Sequence, residues 1–269
     1  MSRDNWSRAE THRAIVTDLL IAAGRESKRR LAVLGAGNCN DLDLPRLLGA
    51  FEQVELIDLD GESLAWGESQ QGVAGDARLR LHGGVDLSGI AEVVAGWSAA
   101  STPNDRELEE CLAQAAAAPL PLPAGSCSVA ASVCLLTQML EPIINELTPS
   151  HPRFLDVLAS VRRRHLQLLA EVCEPGGTVV LVTDVVSSST CPDLVSIADS
   201  QLAAFVGHQI QQKNFFTGVN PFVLRQILET DPEVAPLVCD VRLSSPRRWP
   251  LGPRMYAVVV LTARRREAK

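Results

Sequence analysis

Residues 31–44 read LAVLGAGNCNDLDL, an apolar run, two glycines one residue apart, and a polar turn. The pattern predicts a buried strand, a tight loop and a helix running from Asp41 to about Ala50. In a βαβ unit such a loop lies at the carboxyl end of the strand, where open sheets bind ligands. Gly35 and Gly37 permit the sharp turn and let backbone N–H groups approach that ligand closely. A dinucleotide fingerprint needs glycine or alanine at position 40, for close helix–strand packing, and this chain has Asn40. The pattern puts Asp41 and Asp43 in the first helical turn, where a pyrophosphate would lie. Charge repulsion there disfavours a dinucleotide and favours a ligand that carries positive charge.

Working outward, VELIDLD (54–60) predicts the second strand and LRLHGGVDL (79–87) a short third one that ends in a glycine turn. SCSVAASVCLLTQML (126–140) reads as a buried strand running into a helix. A long helix is expected over about 151–172, and PGGTVVLVTDVV (175–186) as a turn and a further buried strand. Strands alternating with helices at this spacing imply right-handed βαβ units and a parallel sheet. Asp58 follows the apolar part of the second strand, about 20 residues after the glycines, where an acid can accept hydrogen bonds from a ribose diol. The loop therefore reads as a site for an adenosine-type ligand without phosphates and with positive charge. S-adenosylmethionine, with its sulfonium and ammonium groups, fits that description.

The remaining segments decorate this core. Residues 7–23 predict an amphipathic helix with Ile15, Leu19 and Leu20 on one side and Gly24 as C-cap. Ser101-Thr102-Pro103 begins another helix, with Thr102 as cap and Asp105 at capping-box spacing. PLPLPAG is a stiff connector. Residues 187–236 are mostly helical, and Asn220-Pro221 is a helix start. LVCDVRLS (237–244) and RMYAVVVLTA (254–263) form an antiparallel pair joined by a Pro/Arg/Trp loop.

The ordered set VLGAGN, VELIDLD, GGVDL, SVAASVCLL and PGGTVVLV resembles the class I, Rossmann-like S-adenosylmethionine-dependent methyltransferases. The closing β-runs are similar to that family's antiparallel last strand, inserted beside the sixth. The resemblance covers roughly residues 30–186 and 237–264, and its specificity lies in the order of the motifs. It implies one α/β domain over 1–269. A seven-stranded, mostly parallel sheet would have helices on both faces and a helical cap from residues 1–30 and 187–236. It further implies that Gly35, Ala36, Gly37 and Asn38 face the methionine part of the cofactor. Asp58 would hold the ribose, Leu59 would pack on adenine, and Asp86 would meet the adenine amino group with Val85 or Leu87 beside the ring. Ser132 and Val133 would line the floor under the methyl donor. Family members often carry an acid two residues before the first glycine. This chain has Val33 there, which turns the cofactor's ammonium towards Asn38 or Asp41.

Plainer roles stand beside these. Asp58 can be a helix-capping acid, Asp86 a turn cap, and Asp41 and Asp43 ordinary first-turn acids. Cys39 and Cys134 suit burial as small apolar residues. GVNPF (218–222) is a helix cap and not the Asn-Pro-Pro-aromatic motif of amino-methylating enzymes, because SVCLL occupies that motif's place. His82, His151 and His165 read as surface or packing residues.

Composition narrows the chemistry. The chain has 269 residues, a net charge of −7 and 46% hydrophobic residues. The acidic balance and the lack of a basic tract argue against nucleic acid and for a small-molecule acceptor, with a protein substrate as the other option. Seven cysteines without metal-ligand spacing suggest reduced thiols and no metal. The charged N-terminus and short apolar runs point to a cytoplasmic protein with no membrane span. The acceptor would meet elements outside the common core, namely the N-terminal helix, the 187–236 insert and the loop SPRRWPLGP. Candidate contacts are Gln138, Asp184, His208, Asn214, Trp249 and Tyr256, with Trp249 offering a flat face for a ring or a passing sulfonium. A catalytically silent S-adenosylmethionine-binding partner protein is a second reading, and an NAD(P)-dependent oxidoreductase a third.

Overall fold

The computed structural model describes residues 6–98, 103–147 and 149–267. Four parallel units lead the chain: β1 (Arg30–Leu34), α2 (Leu44–Ala50), β2 (Gln53–Ile57), α3 (Gly61–Gln70), β3 (Leu79–His82), α4 (Ala91–Ala95), α5 (Asp105–Ala116) and β4 (Cys127–Val133). They are preceded by α1 (Glu10–Ala23) and followed by α6 (Leu136–Leu147), α7 (Phe154–Val172) and β5 (Cys173–Ser187). Beyond β5 lie α8 (Leu202–Gln211), α9 (Pro221–Thr230), β6 (Val238–Leu243), β7 (Arg247–Leu251) and β8 (Arg254–Arg265).

The strand order is β3-β2-β1-β4-β5-β8-β6, with β8 antiparallel to both of its neighbours. Alternation along the buried strands feeds two apolar layers. Leu31, Val33, Val129, Ala131 and Val133 face one layer with α1, α2 and α3. Ala32, Leu34, Cys127 and Ala130 face the other, which takes α4 to α9. The 187–236 insert sinks Leu194, Leu202, Val206, Leu224 and Leu228 into that second layer. Among the described residues, no helix is long and apolar enough to cross a membrane.

Several local expectations change. The buried side of α1 is His12, Arg13, Val16, Thr17 and Leu20, while Ile15 and Leu19 are half-buried. Arg13 and Thr17 on that face bond to the loop after β1, which an apolar-periodicity argument does not register. Gly24 does follow the helix, but at φ −84° and not in the left-handed conformation. Thr102 lies outside the described residues; α5 starts later, with Asn104 as N-cap and a capping box to Glu107. The Pro/Arg/Trp loop contains a strand, β7, which pairs antiparallel with the first half of β8 in line with β6. Pro250 is tolerated there because β7 is an edge strand.

Candidate functional site

The loop after β1 is longer and less helical than the sequence predicts. Helix α2 begins only at Leu44, with Asp43 as its N-cap accepting from the Arg46 N–H at 3.1 Å. Asp41 and Asp43 therefore do not occupy a first helical turn. Asn40 lies in the turn before the helix, so position 40 never packs a helix against the strand and no third glycine is needed there. Close approach is required elsewhere: a Cβ on Gly67 of α3 would come within 2.8 Å of the Asn38 carbonyl oxygen.

Three elements hold this loop. Gly35 (φ +78°) and Ala36 donate to the Ile57 carbonyl at 2.8 and 3.1 Å, and the Gly37 N–H donates to Asp58 Oδ2 at 2.7 Å. Gln71, the C-cap of α3, donates to the carbonyls of Cys39 and Leu42 and accepts from the Leu44 N–H. From α1, Thr17 accepts from the Asp43 N–H at 3.0 Å and Arg13 donates to the Asn40 carbonyl at 3.1 Å.

The loops after β2 and β3 zip together beside it. Val85 N–H donates to the Asp58 carbonyl, and Gly84 N–H to that of Leu59. Asp86 closes its own turn, accepting from Ser88 N–H and Oγ on one oxygen and from Ala91 N–H on the other.

These loops and α6 enclose a cavity of about 660 Å³, within the range of small-molecule sites. Asp58, Leu59, Val85, Asp86 and Leu87 form one wall, and Leu135, Gln138, Met139 and Pro142 the other, with Gly35 at the inner end. Gln138, Met139 and Pro142 of α6 lie at i+3, i+4 and i+7 from Leu135, which immediately precedes the helix, so they share one helical stripe. Ser132 and Val133 are not part of this wall. Ser132 is sealed in the core, where its Oγ pairs with His165 Nε2 at 2.9 Å, and Val133 packs into the α1–α3 layer. Both are still inside the strand; the chain reaches the cavity two residues later, at Leu135.

A second cavity of about 490 Å³ opens on the next stripe of the same helix, through Thr137, Gln138 and Glu141, and on Cys134 just before it. Gln138 borders both cavities. Asp184 of β5, at a bulge in the pairing with β8, is buried here and accepts from Thr137 Oγ1 at 2.8 Å. Burial raises its pKa to about 6. Trp249 of β7 and Tyr256 of β8 face it with ring centroids 5.4 Å apart, and Phe216 lies 6.1 Å beyond Tyr256. Of the acceptor candidates, Gln138, Asp184, Trp249 and Tyr256 thus meet at one place. Asn214 and His208 do not. Asn214 bonds to Thr190, Cys191 and Gln209 within the insert, and His208 is exposed on α8.

Behind Trp249 lies a buried polar group that the sequence does not flag. The His12 ring stacks on the Trp249 indole at 4.2 Å, and its Nε2 is 4.0 Å from Asp41 Oδ1. Burial, aided by Arg247, lowers the His12 pKa to about 3, and burial raises that of Asp41 to about 7. Asn38 Nδ2 and Asp41 Oδ1 have no hydrogen-bond partner among the described residues.

No known family profile matches the chain, and no curated protein matches it in sequence. Its fold, however, recurs in solved structures. A putative methyltransferase from Bacillus halodurans aligns over 96% of this chain and all of its own length, with 9% identity and a TM-score of 0.51. The CurJ carbon methyltransferase aligns over 97% of this chain with 11% identity and a TM-score of 0.50. The chain spans 56% of that protein's length. The chain has the mostly parallel, Rossmann-like fold of these methyltransferases, with their antiparallel end.

Proposed function

We propose that the protein transfers the methyl group of S-adenosylmethionine to a small-molecule acceptor. The observation that carries this reading is the placement of two cavities on neighbouring stripes of α6, both at the carboxyl edge of the sheet and both bordered by Gln138. One is suited to a donor and the other to an acceptor.

The first cavity fits an adenosyl group. Asp58 is its carboxylate beside the glycine loop, and Leu59, Val85 and Leu87 offer an apolar slot for a ring. Both Asp86 oxygens already accept bonds from its own turn. A carboxylate oxygen has more than one acceptor site, so a further bond from an adenine amino group is compatible with the cap. Asn38 and Asp41, the expected partners of the methionine end, are buried and line neither cavity, so that end is assigned to Gly35, where the glycine loop borders the cavity.

When bound, the donor supplies a methyl group already activated on sulfonium. The chain's part is to align the acceptor and exclude water, and Asp58 and the Leu135–Met139 wall do so for the donor side. A dinucleotide is disfavoured because α2 starts too late to present its N-terminus to a pyrophosphate.

Incubation with methyl-labelled S-adenosylmethionine and a small-molecule library tests the reading. Formation of S-adenosylhomocysteine that depends on one acceptor supports it. Binding of S-adenosylhomocysteine without turnover on any acceptor would favour a silent cofactor-binding protein.

A further inference from the structure

The geometry points to the second cavity as a site for an arylalkyl amine, bound with its ring against the Phe216–Tyr256–Trp249 wall and its nitrogen at Asp184. This deepens the reading above, since it names the acceptor class for the same site.

The aromatic wall is the first observation. The chain has six Phe, four Trp and a single Tyr. The cavity takes that Tyr, together with Phe215, Phe216 and Trp249. Phe216 and Tyr256 are half-buried and suit a ring by stacking and a cation by attraction to the π-system, while Trp249, stacked on His12, backs them.

The second observation is the charge opposite that wall. Asp184 is 7% exposed, and its only side-chain partner among the described residues is the Thr137 hydroxyl. It forms no ion pair with any described residue, and Arg254 is the one cation among the residues that line the cavity. Glu141, on the stripe that faces the cavity, adds a second carboxylate at the exposed rim, where Arg254 is the one lining cation. A buried carboxylate without a cation is costly, and a ligand ammonium supplies what it lacks. The raised pKa of Asp184 agrees with that missing partner. A ligand carboxylate would instead face two like charges. A neutral alcohol would leave the ion-pairing capacity of Asp184 unused.

The chemistry balances. An amine that arrives as ammonium passes one proton to Asp184, which frees the nitrogen lone pair. The lone pair forms the C–N bond as the S–C bond breaks and its electrons return to sulfur. The product leaves as a methylammonium ion, and Asp184 returns its proton to water.

Binding of 2-phenylethylamine, 2-phenylethanol and phenylacetate to the full chain, followed by ligand-observed NMR with and without S-adenosylhomocysteine, tests the assignment. The amine should bind about tenfold or more tightly than the other two, the size expected of a charge-assisted contact. Asp184→Asn should remove that preference while leaving S-adenosylhomocysteine binding intact. Glu141→Gln, at the exposed rim, should weaken the amine without affecting the fold. Equal or tighter binding of the alcohol or the carboxylate, no binding of the amine, or an unchanged preference in both variants would overturn the assignment. Amine binding without any response to S-adenosylhomocysteine would uphold the amine site and remove the donor reading instead.

Discussion

Asp58 at the end of β2 accepts the N–H of Gly37 in the loop after β1, at 2.7 Å. One carboxylate oxygen thus fixes the glycine loop while the other accepts from the Asp60 N–H at 2.9 Å, and the side chain lines the larger cavity. Asp58→Ala should therefore act twice, removing a ligand contact and loosening the loop. The expected loss of S-adenosylhomocysteine affinity is about 1.5–3 kcal/mol, the range for a hydrogen bond to a charged group. Titration calorimetry measures it, and circular dichroism should show the fold retained. An unchanged affinity would remove Asp58 from the ligand site.

Gly67→Ala tests how the loop is supported. The added Cβ would lie 2.8 Å from the Asn38 carbonyl oxygen and 3.0 Å from Cys39 Sγ. Overpacking of this kind costs about 1–3 kcal/mol. Thermal melting should show the loss, and donor-product affinity should fall with it because the glycine loop, which borders the cavity at Gly35, shifts. Gly37→Ala makes a useful contrast. Nothing lies within 4 Å of its Cβ, so its cost comes from a φ of +52° and not from a clash.

The parallel half of this fold was legible in the sequence because each strand is bounded by apolar alternation and by glycines or acids at its end. VELIDLD placed β2 and Asp58, and PGGTVVLV placed β5. The loop after β1 was less legible. Asp41 and Asp43 look like first-turn acids in any pattern of charge and apolar spacing, yet Asp43 is the cap and Asp41 is buried. What decides this is long-range: Thr17, Arg13 and Gln71 satisfy the loop's backbone, and no local signal announces them. β7 was hidden by Pro250 within it, by Pro246 and Pro253 on either side, and by its arginines, which read as loop. The two cavity stripes of α6 were within reach, since Gln138, Met139 and Pro142 follow helical spacing from Leu135, just before the helix. Which face met a cavity depended on the packing of α4 and β8.

His12 offers a pH test with a definite sign. Its folded pKa, about 3, lies below the ordinary imidazole value of 6.5, through burial and then Arg247. The folded state thus binds fewer protons than the unfolded one between those values. Its contribution to stability is present above pH 6.5 and is lost as pH falls towards about 3. His12→Phe keeps a ring on Trp249 and cannot charge, so it should gain on the parent as pH falls through that window. Chemical denaturation at several pH values measures the difference. Asp41, at 4.0 Å from His12, has the opposite shift, and its own effect largely cancels in the comparison. NMR should find the His12 ring neutral at pH 5, and a protonated ring at pH 6 would show an ion pair with Asp41 instead.

Asn214→Ala should affect the insert and not the chemistry. Its amide joins Thr190, Cys191 and Gln209, and it lines neither cavity. Loss of these bonds should cost about 1 kcal/mol or somewhat more in stability, seen as a lower melting temperature. Donor-product affinity should match the parent, and a marked fall would mean that the insert reaches the site in solution.

The central claim is that the cavity between Asp58 and α6 holds an adenosyl sulfonium compound and not a dinucleotide. Calorimetric titration of the purified protein with S-adenosylmethionine, S-adenosylhomocysteine and NAD measures this directly. The account predicts saturable binding of both adenosyl compounds, weakened in Asp58→Ala, with no comparable heat from NAD. Tight binding of NAD with no response to either adenosyl compound would contradict it.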